Sequence, residues 1–282
     1  MLSQGSEYDI SKAYEGHQNL IEAYSLLVGI KEGHLKVFMD LLRSSGGAQM
    51  HIDFVFLGLL NRSLNICDAI LILVAKRNFI AAAPLLRIQI DTLLRLCYIE
   101  TLHDSQPLAE AIMSGLDFRK IKDSQGRKLT DERLRDYARA KFTWIDDAYR
   151  SLSQLVHFSR KHIFLMLSPL SPENDFIINL RVGQPDELCP PSQVLILLES
   201  TAKVTREILR YTEGWIEWKN EHFKFGPVER DDILADAVKL DEQGYRSEAR
   251  SIWEKISFIE KRPELVERIK RRLAEPDEAL GS

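Results

Sequence analysis

The sequence predicts an all-α protein: an antiparallel helical bundle over residues 1–222 and a helical hairpin over residues 228–275. Three observations predict it. Apolar residues recur at helical spacing through segments long enough to pack as core helices. Clusters of glycine, serine and proline punctuate those segments and leave short connections, which favours antiparallel neighbours. Strand-like sequence is confined to Phe176–Val182, with no second strand candidate to pair with it.

Composition narrows the class. The chain has 282 residues, 45% of them hydrophobic, ample for a real core. Lys and Arg number 38 against 42 Asp and Glu, a formal net charge of −4. That argues against coating nucleic acid by bulk charge while leaving room for a local basic site. Cys67, Cys97 and Cys189 are far apart and form no C-x-x-C pair, so they read as buried thiols in a reducing cytoplasm. The opening MLSQGSEYDISKAYEG lacks a basic and then apolar region, so no signal peptide is expected. Phe54–Ala75 and Phe79–Ile99 are apolar, but Arg62 and Asp68 interrupt the first and Arg87, Asp91 and Arg95 the second. Charges at mid-helix are costly in a bilayer, so both read as core helices, with no membrane contact.

The first helix is expected over Ser11–Leu42, with Gly29 and Gly33 as points where it kinks or splits. Ser44-Ser45-Gly46-Gly47 ends it. The second helix, Gln49–Lys76, is apolar nearly all round and so is expected to be buried on most sides. Asn61, Asn65 and Asp68 line up on it, as a structural hydrogen-bond network or part of a site. Arg77-Asn78 is a short turn into a third helix near Ile80–Leu102, with Pro84 in its first turn or at a kink. Arg87, Asp91 and Arg95 form a ladder there. It is read either as an ion network with Asp68 or as the cationic wall of a site. Asp104 or Ser105 caps a helix over Pro107–Met113, Gly115–Lys128 is a surface loop, and Thr130 opens a helix over Asp131–Ala140.

The next segment, Thr143–Leu167, carries the most chemistry. As one helix it places Leu152, Leu155, Val156, Ser159 and Ile163 on one face. Arg150, Ser153, Gln154, His157 and Lys161 fall on the other, with Arg160 at its margin. Asp146 and Asp147 suit a helix N-terminus. Prolines then break the pattern until Ser192 caps a last core helix reaching about Asn220. Beyond Phe223–Pro227, Asp231–Gln243 and Tyr245–Phe258 resemble one tetratricopeptide repeat, which either caps the main domain or offers a small docking face for a protein partner through Tyr245 and Trp253. Arg262–Leu273 continues as a basic helix.

No Walker loop, GxGxxG, HExxH, EF-hand loop or GxSxG occurs, and His157 and His162 lack a carboxylate that would complete a metal site, so neither metal nor cofactor is expected. Arg150-SLSQLV-His157, set in an all-helical chain, resembles the HEPN (higher eukaryotes and prokaryotes nucleotide-binding) group. RNFIAAAPLLRIQIDTLLRLCYIE followed by YRSLSQLVHFS is similar to a family of uncharacterised bacterial helical proteins with an Arg–acid helix and a Tyr–Leu–Ser–His helix. The likeness covers residues 50–215. The spacer is long for that group, Asp91 stands where the closer family has Glu, and Ser151 is smaller than usual.

The HEPN resemblance implies metal-independent RNA cleavage by a homodimer, of toxin–antitoxin or phage-defence type. His157 would be general acid or base at a ribose 2′-hydroxyl, since an ordinary imidazole titrates near neutrality. Arg150 would hold the phosphate. Arg160, Lys161 and His162 would add backbone affinity. Arg87, Asp91 and Ser153 complete the expected substrate-binding set. The alternatives are a non-catalytic helical scaffold, and a small-molecule binder with an anion site between helices two, three and the Thr143–Leu167 helix, lined by Asn61, Asn65, Arg87, Asp91 and His157.

Overall fold

The computed structural model describes residues 10–47, 49–157, 162–163, 167–169, 178–180, 183, 186 and 189–222, and its class is all-α. The named helices are α1 (Gln18–Arg43), α2 (His51–Ala75), α3 (Phe79–Glu100), α4 (Gln106–Met113), α5 (Asp131–Arg139), α6 (Ile145–Val156) and α7 (Pro191–His222), and residues 162–163 are helical as well. The hairpin expected at 228–275 lies outside the described residues.

Local chemistry sets most of the boundaries. Gly16 adopts φ +80° and holds the segment before α1 as turns, so the helix starts at Gln18 rather than Ser11. Gly29 and Gly33 do not split it. The Asp53 carboxylate accepts the Met50 N–H at 2.7 Å and satisfies one orphan donor at the start of α2. Asn78 accepts the Ala81 N–H at 3.2 Å and caps α3, which contains Pro84 without a break. Ser105 stands at the N-cap of α4, and Thr130 accepts the Arg133 N–H at 3.3 Å to open α5.

The chain divides into two compact units: Met1–Leu42 with Gln49–Trp218, and Arg43–Ala48 with Lys219–Ser282. In the second, Ser45 stands in the left-handed region at φ 50°, ψ 46°. Its N–H donates to Asn220 at 2.7 Å and its hydroxyl to the Lys219 carbonyl at 3.1 Å, which hold it there.

In the first unit, side-chain pairs give the directions of the core helices. Lys31 and His34 of α1 reach Asp68 and Ser63 of α2, and Tyr24 reaches the Leu71 carbonyl, so α1 runs antiparallel to α2. Thr205 and Trp215 of α7 reach Cys67 and Asp53, so α7 also opposes α2. Gln89 and Cys97 of α3 reach Thr205 and Tyr211, so α3 and α7 run in the same sense. Leu20, Leu27, Ile52, Leu60, Ile70, Ile90, Leu93 and Leu94 are buried almost completely between them. Each such side chain stabilises the fold by about 1.5–3 kcal/mol on leaving water.

Burial on α2 follows one broad face rather than all sides, and Phe54 is 49% exposed. By length and composition α2 could cross a membrane, with mean hydropathy 1.6. Its polar network is not the expected one. Asn61 and Asn65 are exposed and bond to each other, while Asp68 pairs with Lys31 at 2.7 Å. The buried polar chain runs instead through Ser63. Gln89 donates to Ser63 at 2.6 Å and to Thr205 at 3.1 Å, and His34 meets Ser63 at 2.9 Å. The donors of this chain find acceptors within the core, while the Gln89 Oε1 is buried without a hydrogen-bond partner.

The expected Thr143–Leu167 helix is shorter. Helix α6 ends at Val156, and His157 caps it with extended backbone at φ −98°, ψ 143°. Val156 and Ile163, placed on the buried face by helical period, are 47% and 41% exposed. The change also supplies the strand partner that the sequence appeared to lack. Leu167–Pro169 (β1) pairs antiparallel with Ile178–Leu180 (β2), Leu167 opposite Leu180.

Candidate functional site

Helix α6 carries the residues singled out by sequence. Its first turn contains Asp146 and Asp147, favourable at the positive end of a helix. Asp146 is clamped by Arg135 at 2.8 Å and Arg139 at 2.6 Å, and these guanidinium bonds hold its carboxyl below the usual range. Asp147 faces solvent.

Arg150 projects outward. Its side chain is 76% exposed, and its only ion pair among the described residues is with Asp147 at 3.9 Å. His157 is exposed as well, and its N–H donates to the Ser153 carbonyl at 3.2 Å. On an unbroken helix the two residues would share a face roughly 10 Å apart along the axis. Helix α6 instead ends at Val156, with His157 as its C-cap. Ser153 is half-buried and donates its hydroxyl to the Tyr149 carbonyl at 2.8 Å. Arg160 and Lys161 lie outside the described residues.

Arg87 and Asp91 belong to a different environment. Arg87 pairs with Asp91 through Nη1 and with Asp131 through Nη2 at 3.2 Å. Its guanidinium carbon lies 3.4 Å from the centre of the Tyr149 ring, a cation–π contact. The Tyr149 hydroxyl donates to Asp131 at 2.9 Å, and Arg119 donates to the same carboxylate at 3.0 Å. Arg95 turns back to donate to the Asp91 carbonyl at 2.6 Å. The ladder therefore meets α5 and α6 through Asp131 and Tyr149, and not Asp68 on α2. Asp131, Arg119 and Tyr149 were invisible as partners because they lie 12 or more residues from their contacts along the chain, as in Arg119–Asp131 at a separation of 12, Tyr149–Asp131 at 18 and Arg87–Asp131 at 44.

The loop before α5 is also built rather than loose. Asp123 is buried, with its oxygens accepting from the Gln125 and Arg127 N–H groups at 2.9 Å, Arg133 at 2.6 Å and the Tyr137 hydroxyl at 3.1 Å. Burial works against its charge, but these bonds prevail and hold the carboxyl at about 2.

A cleft of about 780 Å³ opens between α3, α6 and α7. Leu86 and Ile90 form one wall, Leu152 and Leu155 a second, Ile196 and Val204 a third. Trp144, Asp147 and Lys203 also line it. Neither Arg150 nor His157 does, nor do Asn61, Asn65, Arg87 and Asp91, the lining expected for a small-molecule site. The sequence signal was the run of apolar residues on α6 and α7, which reads equally as core. Among the described residues no three His, Cys, Asp or Glu side chains converge as a metal site. Compared with family models, curated proteins and solved structures, the chain matches none.

Proposed function

We propose that the protein is an HEPN-like, RNA-directed helical protein whose metal-independent site lies at the C-terminal end of α6, with Arg150 and His157 as the acting pair. The observation that supports this reading is their exposure. Both stand outside the buried ion cluster, so a large polyanion reaches them without an opening movement. Arg150 then neutralises a phosphate through its fork of donors. His157 takes the proton of a ribose 2′-hydroxyl or returns one to the leaving oxygen. Arg87 and Asp91 act from beneath by fixing Tyr149 and so the position of α6.

The test is cleavage of a single-stranded RNA and of a tRNA in EDTA. Wild-type protein should cleave one of them, and His157→Ala should lose on the order of 10²–10⁴-fold in rate, the usual weight of a general acid or base. Arg150→Ala should weaken binding. Both side chains are exposed, so the melting temperature of either variant should not change. Cleavage by His157→Ala at the wild-type rate ends the proposal. Sedimentation of the same samples tests the homodimer.

A non-catalytic scaffold is the second reading. It is favoured by the internal partners of Arg87, Asp91 and Ser153, three of the residues expected to bind substrate. Wild-type protein that leaves both RNAs intact decides for it. Loss of a protein partner on removing residues 228–282 would then place the docking surface in the C-terminal segment.

A further inference from the structure

We infer that the cleft between α3, α6 and α7 binds a small amphipathic anion, an apolar body carrying one carboxylate. The inference does not depend on the RNA reading. It rests first on size and lining. A volume of about 780 Å³ falls within the range of clefts that enclose small organic ligands. Its walls are the side chains of Leu86, Ile90, Leu152, Leu155, Ile196 and Val204. Ile196 is 61% exposed, so apolar surface on this face remains in water and a hydrocarbon body would remove it.

Charge then selects the polar end. Lys203 is the one cation among the lining residues, and no carboxylate among the described residues pairs with it. Its ammonium lies 4.9 Å from the centre of the Trp144 ring, which holds it at the cleft without neutralising it. Ser200 precedes it by three residues on α7 and also lines the cleft, so a hydroxyl and an ammonium stand on one helical face. Asp147 is the opposing charge of the lining, but it is 85% exposed and shares its field with Arg150 at 3.9 Å. Water screens that carboxylate strongly, and Lys203 is exposed as well, so its pull on an anion is modest and acts together with the Ser200 hydroxyl beside it. A carboxylate on Lys203 and Ser200, with its chain along the α3 and α6 walls, satisfies both features.

The experiment is calorimetric titration of the full chain with sodium decanoate below its micelle concentration, beside decanol as the neutral counterpart. Decanoate should bind saturably at one site. Lys203→Met keeps the apolar stem and removes the charge. It should weaken decanoate about tenfold, the weight of one charge-assisted hydrogen bond near the surface, and leave decanol unchanged. Ala83→Trp should fill the cleft and abolish both, with circular dichroism confirming that the fold is retained. Leu152→Phe serves as a second filling variant if Ala83→Trp does not fold. The absence of saturable decanoate binding overturns the inference, as does equal decanoate affinity in Lys203→Met and wild type. A cleft covered by a second copy of the chain would appear as a dimer that Ala83→Trp dissociates and that decanoate does not, and that also overturns it.

Discussion

Replacing Asp131 with Ala should destabilise the protein by about 3 kcal/mol, taking the sum of charged and neutral hydrogen bonds it anchors. The carboxylate accepts from Arg87 at 3.2 Å, from Tyr149 at 2.9 Å and from Arg119 at 3.0 Å. These do not count equally. Arg119 is 58% exposed, so its share is within about 0–1 kcal/mol. The Tyr149 bond is half-buried and is worth about 1 kcal/mol. Arg87 is only 10% exposed and loses a partner there, at a cost of about 1.5–3 kcal/mol. It keeps Asp91, so the full penalty of an unpaired buried cation, about 3–5 kcal/mol, is not reached. For a domain of this size the melting temperature should fall by about 9 °C. Calorimetry or thermal circular dichroism measures it. A double-mutant cycle with Arg87→Met should return about 1–2 kcal/mol of coupling. A fall below about 2 °C, or no coupling, would refute the reasoning that this cluster fastens α5 and α6 to α3.

Two further outcomes follow from buried titratable groups. Burial lowers the affinity of His34 for a proton below the ordinary 6.5, and the Lys31 carbonyl at 3.0 Å takes its Nδ1–H. Above pH 6.5 the imidazole is neutral whether the chain is folded or not. Below it the unfolded chain binds a proton that the folded chain refuses, so stability falls with acidification, by at most about 1.4 kcal/mol per pH unit for one proton. Urea titrations between pH 8 and 5 should show that slope, and His34→Gln should flatten it; an equal slope in the variant assigns it elsewhere. The second concerns thiols. Burial pushes Cys67 and Cys97 up to about 11 and Cys189 up to about 12. At pH 8 roughly one in a thousand of the first two is thiolate, so a disulfide reagent should modify native protein slowly and urea-unfolded protein at once. Prompt labelling of a native thiol would show that its site opens.

Much of the fold was legible because helical period and punctuation are local. The stretch around Arg77-Asn78 reads as a turn from residue types alone, and Thr130 reads as a cap because its hydroxyl meets a donor three residues on. The end of α6 was not legible. Neither glycine nor proline marks Val156-His157, and the apolar stripe continues through Ile163 in the sequence although not in space. Arg150 and His157 could be named from spacing, whereas the end of the helix at the second of them could not.

By itself, then, the sequence determined which segments are helical and where most of them start, since these depend on neighbours within a turn or two. Tertiary structure decided the partners. The ladder of Arg87 and Asp91 meets Asp131 and Tyr149 rather than Asp68, and Gln89 rather than Asn65 holds the buried polar chain. It also decided that the α3, α6 and α7 faces leave a cleft between them. A charge or an apolar face specifies that it must be satisfied, and only packing specifies by what.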